Sequence, residues 1–159
     1  MDSSSLHNLF ILLHTVAAIV SFFAGSLLLF SRTYATNERL FGLYFWSLAA
    51  MAVLLAGAII VYWKEYTDTE QIVFPGLLGL ALFMLFRGWG AGLVLHTQQK
   101  DWRLGYIEHI GFTLISLFEG FIIVSGLNSG LPGWLVALVA VIGLLMGRWV
   151  IASAKRRTA

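Results

Sequence analysis

Residues 72–95 read IVFPGLLGLALFMLFRGWGAGLVL, an apolar run interrupted by one charge, Arg87. A helix of roughly 20 residues, rising about 1.5 Å per residue, crosses a hydrocarbon core of about 30 Å. This run is therefore long enough to span a bilayer as one helix. Runs of the same kind recur along the chain, and we predict membrane spans at residues 9–30, 40–63, 72–95, 105–127 and 131–154.

The composition agrees with a membrane protein. Of 159 residues, 59% are hydrophobic and 11% are charged, and the mean hydropathy is +0.85. Soluble domains carry about 25% charged residues. The first run lacks the basic start of a secretory signal, and it is longer than a signal's apolar core. The sequence predicts an all-α integral membrane bundle of five transmembrane helices, in a single domain over residues 1–159.

The basic residues predict the topology, because Lys and Arg collect on cytoplasmic connections. The connections on one side and the C-terminal tail hold Arg32, Arg39, Lys100, Arg103, Lys155, Arg156 and Arg157. The opposite side holds only Lys64. We therefore predict an outer N-terminus and a cytoplasmic C-terminus. Insertion topology accounts for the basic loops, so the net charge of +2 does not indicate a nucleic-acid partner.

Several functional classes lack support in the sequence. The chain has no cysteine, which excludes disulfides, thiolate metal sites and cysteine nucleophiles. It also lacks the HExxH zinc motif, the P-loop, the GxSxG elbow and the dinucleotide fingerprint. Hydrolase and nucleotide-binding activities are not indicated. The sequence favours a non-enzymatic protein and leaves any catalytic residue unknown.

Small residues mark the surfaces where membrane helices approach each other closely. Gly88 and Gly92 form one GxxxG pair, and Gly143 and Gly147 form another. We predict that these pairs are helix-packing positions, although glycine is also common in membrane helices for no specific reason. Pro75 lies near the start of its predicted span, which favours a place in the first helical turn.

Six ionisable side chains lie inside the predicted spans: His14, Arg87, Glu108, His109, Glu119 and Arg148. A charge at the bilayer centre costs about 2.5–3.5 kcal/mol on insertion scales, so each needs a partner, a cavity or a route to the surface. Counting about 1.5 Å per residue puts His14 about 9 Å and Glu119 about 12 Å below the outer face. The other four lie nearer the inner face. This predicts an outer pair and an inner group.

Structural explanations stand beside functional ones for the inner group. Arg87 is its deepest member, and we expect Glu108 or a water-lined cavity to receive the guanidinium. Arg148 is shallow enough to reach lipid headgroups with its long stem. Glu108 and His109 are close enough to the inner face to be interfacial.

Glu119 is the hardest of the six to explain, since a carboxylate cannot reach far toward water. It lies three helical turns from Glu108, which puts both carboxyls on one face of the fourth span. Glu119 is either a polar clamp, protonated and hydrogen-bonded to Ser116 or Thr113, or part of a functional site.

Histidines in a membrane bundle raise the question of haem, in which two imidazoles at equal depth ligate one iron. His14 is isolated in the outer layer unless His7, one heptad earlier and near the surface, is counted, whereas His96 and His109 both lie near the inner edge on consecutive spans. His14, His96 and His109 are weak candidate haem ligands, and no other metal site is indicated.

The segments HTVAAIVSFFAG, LLLFSR, ERLFGLYFWSLAAM and LLGLALFMLFRGWGAG resemble the uncharacterised bacterial multi-pass membrane protein family DUF 2306 over the first two-thirds of the chain. The matching positions are His14, Gly25, Gly42, Tyr44, Gly88 and Trp89. Where the family has a loop histidine, this chain reads Asn37, Glu38 and Arg39. The resemblance implies a small bacterial membrane protein, and kinship with b-type cytochromes would imply haem binding by two histidines.

The residues leave more than one function open. The first is a non-enzymatic accessory subunit, or an oligomeric channel or transporter component, in the bacterial inner membrane. The second is a membrane redox or proton-handling module, with haem b or quinone as conceivable cofactors, His14 and Glu119 as an outer proton-accepting pair, and His109 as an inner ligand or relay. A structural partner of a larger membrane complex is the third. The expected surroundings are the lipid bilayer and, for the first, further copies of the chain.

Overall fold

The computed structural model describes residues 2–31, 33–98 and 101–158 of the chain. These form the helices α1 (Ser3–Phe30), α2 (Glu38–Tyr62), α3 (Asp68–Thr97), α4 (Trp102–Asn128) and α5 (Gly133–Thr158). The described ranges contain no strand, which confirms the all-α prediction for them. Two compact units divide the chain, Met1–Phe86 and Arg87–Ala159, and their boundary falls inside α3. The single domain of the sequence analysis stays a prediction.

Short polar side chains determine where the first two helices begin. The carboxylate of Asp2 accepts a hydrogen bond from the backbone N–H of Ser5 at 3.1 Å, and the Asn37 side chain accepts one from Leu40 at 3.0 Å. Each acceptor satisfies an amide that has no partner within its own helix. The bonds from Ser5 hold the pKa of the exposed Asp2 carboxyl below its ordinary value of 3.8. Both helices therefore begin before the apolar runs that reveal them.

The start of α3 corrects the expectation for Pro75. The Glu70 carboxylate accepts hydrogen bonds from the backbone N–H and the hydroxyl of Thr67, at 2.9 and 2.8 Å. This capping arrangement starts the helix at Asp68, so Pro75 lies inside α3 and not in its first turn. The prediction failed because the polar residues that cap the helix lie outside the apolar run.

A left-handed glycine ends α4. Gly130 has a φ of 72°, and the N–H of Leu131 donates to the carbonyl of Gly126 at 3.1 Å. This bond closes the helix in the manner of a Schellman motif, which needs a residue without a Cβ at the turn. The motif separates α4 from α5 over only a few residues.

Within the part of the chain that the structure describes, four helices are long and apolar enough to cross a membrane: α1, α2, α3 and the segment Trp102–Gly126 of α4. In α5 the apolar stretch that the structure describes is Val141–Ser153, which covers only about 20 Å at about 1.5 Å per residue. The fifth span stays a prediction, and so does the topology that depends on it.

The exposed surface of α1 and α2 is made of large apolar side chains. On α1 the exposed set includes Leu12, Val16, Ile19 and Phe23, whereas the buried set is Ser21, Ala24, Gly25 and Leu28. On α2, Ile60 is 75% exposed. Mostly small side chains of α1 thus face the helix contact, and large apolar ones face outward. Such an exterior suits lipid, because contiguous apolar surface of this extent is rare on soluble monomers.

Candidate functional site

Three side chains of α1 bond to the backbone of α2 at intervals of seven residues. The pairs are His7 Nδ1 with the Ala58 carbonyl (3.2 Å), His14 Nδ1 with the Met51 carbonyl (2.9 Å) and Ser21 Oγ with the Tyr44 carbonyl (3.3 Å). We call this set the α1–α2 ladder. A carbonyl oxygen only accepts hydrogen bonds, so each imidazole carries a proton on Nδ1. The nitrogen Nε2 is then the remaining acceptor of a neutral ring.

The constant spacing fixes how α1 and α2 pack. Successive rungs advance by seven residues on both helices in opposite directions, as in an antiparallel coiled coil. The rung residues of α2 are all buried: Tyr44, Met51 and Ala58. Ser21 is completely buried on α1. The ladder gives His14 a structural role that the sequence analysis did not predict.

Aromatic rings surround His7 at one end of this unit. The His7 ring stacks on Tyr62 at 4.4 Å and meets Tyr66 edge-on at 5.9 Å. Tyr66 also packs against Phe74 at 4.8 Å. Burial, then the nearby Glu70 carboxylate and Tyr62, raise the pKa of the Tyr66 phenol above 10.0. The phenol therefore stays neutral, and the cluster closes the end of the ladder.

Glycines organise the contact between α4 and α5. Each of three glycines receives one side chain from the opposite helix, and we call these positions the glycine slots. The pairs are Gly111 with Ile151, Gly147 with Ile115, and Gly143 with Glu119. A Cβ at Gly147 would lie 2.5 Å from Cδ1 of Ile115, and one at Gly111 would lie 2.9 Å from Cγ1 of Ile151. The predicted GxxxG pair of α5 therefore packs within the chain.

Glu119 occupies the third slot and is the most deeply buried acidic or basic side chain among the residues whose burial the structure describes. Its relative exposure is 5%. A Cβ at Gly143 would overlap Oε1 of Glu119 and lie 2.7 Å from Cδ. Neither carboxyl oxygen hydrogen-bonds to any residue that the structure describes. The carboxyl thus lies directly on the bare backbone of α5.

The expected hydrogen bonds from Thr113 or Ser116 to Glu119 are therefore absent from the described residues. Thr113 donates instead to the carbonyl of Ile110 within its own helix, at 2.8 Å. Ser116 is buried one turn before Glu119 on α4. The carboxyl of Glu119 points toward α5, away from these hydroxyls, because Gly143 leaves room for it there.

Arg87 and Glu108 meet in the second unit, as the sequence predicted. Nη2 of Arg87 lies 3.6 Å from Oε1 of Glu108 and donates to its backbone carbonyl at 3.2 Å. The guanidinium carbon is 5.4 Å from the centroid of the Phe112 ring, at cation–π distance. The Arg87 side chain is 20% exposed and that of Glu108 is 48% exposed. This pair is half open and charge-balanced, unlike Glu119.

The packing of the last turns of α3 against α4 positions His109. A Cβ at Gly90 would lie 2.6 Å from Cε1 of the His109 ring, so the imidazole lies against a bare backbone. The GxxxG glycines of α3, Gly88 and Gly92, are both buried. His96 is exposed and lies six residues beyond Gly90, about 9 Å further along the helix. His96 and His109 are therefore at different levels, which argues against their sharing one haem iron.

The remaining candidates are less constrained by the structure. Arg148 is exposed on α5, in agreement with a side chain that reaches headgroups. His14 and Glu119 belong to different units, so their predicted pairing stays a prediction. No group of three or more histidine, aspartate or glutamate side chains able to hold a metal occurs in the described ranges.

Sequence reasoning missed two features that could have been found. The spacing of His7, His14 and Ser21 is visible as one polar residue per heptad. Gly111 lies eight residues before Glu119, on the same side of α4, and so belongs to the contact between α4 and α5. The partners of these residues depend on helix register, which one sequence does not reveal.

Comparison with known proteins gives no relative for this chain. No family model, no curated protein and no solved structure matches it. The resemblance to DUF 2306 thus stays a prediction.

Proposed function

We propose that this protein is a non-enzymatic, multi-pass membrane protein that acts as a channel or transporter component, with the Glu119 carboxyl as its cation-exchange site. The observation that carries the proposal is the state of this carboxyl, which is 5% exposed and has no hydrogen-bond partner among the described residues. An ionisable group inside a membrane segment is by default a candidate for an ion pathway.

Packing alone does not explain a carboxyl at this position. The other two glycine slots receive isoleucines, Ile115 and Ile151, so an apolar side chain would fill the third equally well. Burying a polar group without a hydrogen bond costs about 1–3 kcal/mol on the scale of protein mutations. A structural clamp would recover this cost through a partner. Since Glu119 has no such partner among the described residues, a structural role does not account for its burial, and we infer a functional one.

The membrane setting is part of the proposal. Four described helices have the length and apolar character of spans, and the apolar stretch of α5 supports a fifth. Seven basic residues on one side against Lys64 on the other support an outer N-terminus and a cytoplasmic C-terminus. The resemblance to DUF 2306 supports a bacterial inner membrane.

A partner is also part of the proposal. Five helices per chain are few for enclosing an ion pathway, and a neighbouring subunit would supply the remaining wall. Gly143 and Gly147 are covered by side chains of α4, so a homo-oligomer or a larger complex would use the apolar outer faces instead. These faces include exposed aromatic side chains, such as Trp46 and Trp149.

The test is cation flux in vesicles that contain the purified full chain. An internal pH-sensitive dye reports protons, and ion-selective dyes report sodium and potassium. We expect the wild-type flux to fall at least tenfold in Glu119→Gln. The matched control is Glu65→Gln, which changes an exposed carboxyl between α2 and α3 and should leave the flux unchanged. A wild type without flux of any cation, or a Glu119→Gln variant with full flux, would refute the proposal.

A redox module is the second candidate, and the α1–α2 ladder favours it. Histidines that ligate metals usually donate their other ring N–H to a carbonyl or carboxylate. His14 makes such a bond from Nδ1 to Met51, which leaves Nε2 as an acceptor. The visible absorption spectrum of the purified protein, oxidised and then reduced, separates the two candidates. A Soret band that shifts on reduction and disappears in His14→Ala would favour the redox module, and a flat spectrum would remove its haem form.

A further inference from the structure

We infer that the ion taken up by Glu119 is a proton and not an alkali or divalent cation. The inference rests on the proposed function, since it assumes that this carboxyl is the exchange site. It follows from how closely the carboxyl fits its slot. Oε1 lies where a Cβ of Gly143 would be, so the carboxyl touches the α5 backbone directly. No space is left between them for a cation and its ligands.

The surrounding oxygens point the same way. Magnesium takes six ligands and calcium six to eight, so a bare cation needs a shell of oxygens around it. The nearest side-chain hydroxyl on α4 is that of the buried Ser116, one turn before Glu119, and a single hydroxyl does not complete such a shell. The Thr113 hydroxyl lies about 9 Å away along α4 and is bonded to Ile110. Backbone carbonyls of α4 and α5 are committed to their own helices in this region. A proton, in contrast, needs only one carboxyl oxygen.

No fixed charge near the slot replaces a proton. The charged or histidine side chains that lie nearest to Glu119 along α4 and α5 are Glu108, His109 and Arg148, and Arg87 of α3 reaches α4 at Phe112. None of them bonds to the carboxyl oxygens of Glu119. Arg87 packs on Phe112, about 10 Å from Glu119 along α4, and Arg148 is exposed. The described residues thus supply no cation that pairs with a Glu119 carboxylate, so a proton must neutralise it.

Such a carboxyl has a distinctive reactivity toward lipid-soluble carbodiimides. The acid adds across one C=N bond of the reagent: the carboxyl oxygen bonds to the central carbon, and the acid proton goes to nitrogen. In the absence of water, the acyl group then migrates from oxygen to nitrogen and gives a stable N-acylurea. Nothing leaves, so the protein gains the mass of one whole reagent. Exposed carboxyls such as Glu65 face water, which hydrolyses the adduct before the acyl group can migrate.

The experiment labels the full chain in lipid vesicles with dicyclohexylcarbodiimide and locates the adduct by peptide mass spectrometry. We expect one adduct on Glu119, none at that peptide in Glu119→Gln, and a labelling rate that falls as the pH rises. Replacing choline by sodium, potassium or magnesium at constant pH and ionic strength should change the rate less than twofold.

Two outcomes overturn the inference. One is protection of Glu119 by sodium, potassium or magnesium at constant pH, which would mean that the cation binds the carboxylate itself. The other is the absence of labelling at Glu119 at any pH, which would mean that the carboxyl holds no reactive proton. Failure of the proposed function looks different: Glu119 would be labelled with the expected pH dependence and without cation protection, while the vesicles showed no flux that depends on it.

Discussion

Gly143→Ala tests whether the contact between α4 and α5 depends on the Glu119 carboxyl. The new Cβ would overlap Oε1 and lie 2.7 Å from Cδ, whereas an ordinary contact is 3.4–4 Å. The helices must separate or the carboxyl must leave. Overpacking of this kind costs about 1–3 kcal/mol. Against it stands a gain of up to about 1 kcal/mol from the better helix propensity of alanine.

Gly120→Ala is the matched control. Gly120 is adjacent to Glu119 on the same helix, and a Cβ there would meet nothing within 4 Å. It should show only the propensity gain. The free energy of unfolding, measured in mixed micelles, should therefore be about 1–3 kcal/mol lower for Gly143→Ala than for Gly120→Ala.

A double-mutant cycle with Glu119→Ala makes the test specific. Once the carboxyl is gone, the new methyl at position 143 has room, and Gly143→Ala should behave like Gly120→Ala. The coupling energy between the two changes should be about 1–3 kcal/mol. If the two changes add within about 0.5 kcal/mol, the carboxyl does not lie in the slot and the reasoning about Glu119 fails.

Three other predictions concern separate contacts. His14→Leu should lower the free energy of unfolding by about 0.5–1.5 kcal/mol, because the hydrogen bond to α2 is lost. His14→Gln keeps a donor and should lower it less. Equal losses in the two variants would contradict the ladder. Glu108→Gln should lower the free energy of unfolding by no more than about 1 kcal/mol, since the ion pair is half exposed. Arg87→Met should lower it more, because the bond to the Glu108 carbonyl and the contact with the Phe112 ring are lost as well. Equal losses in the same assay would contradict this prediction. The pKa of the Asp2 carboxyl is lowered in the folded protein, so the cap that it provides to the Ser5 N–H is complete above pH 3.8. The cap is lost as the pH falls through the lower pKa of the folded state. The NMR shift of the Ser5 amide should change over this pH range in the wild type and stay constant in Asp2→Ala.

The sequence predicted the helices well because lipid imposes a simple length rule. An apolar run that crosses about 30 Å must be helical, so the four runs that the structure supports as spans were recognised from length and composition. The ends of the helices were less predictable. Thr67 and Glu70 start α3 through polar contacts outside the run, and Pro75 consequently lies in the helix interior.

The site was predictable only in part. Glu108 was one of two receivers expected for Arg87, beside a water-lined cavity, and the ion pair confirms this alternative. The surroundings of Glu119 were predicted wrongly: the side chain turns to the bare backbone at Gly143 and not to hydroxyls of its own helix. That choice depends on the register between α4 and α5, which periodicity within one helix does not determine.

The α1–α2 ladder also bears on how the protein enters its membrane. If α1 were released into lipid alone, His7, His14 and Ser21 would face hydrocarbon with no hydrogen-bond partner. The carbonyls that relieve this cost belong to α2, which follows after a short connection. We therefore expect α1 to stay at the translocon until α2 has been synthesised, and the two helices to enter the lipid together as a hairpin. A ribosome-stalled chain from which only α1 has left the exit tunnel would then remain extractable by alkali, whereas one from which all of α2 has also emerged would be integrated.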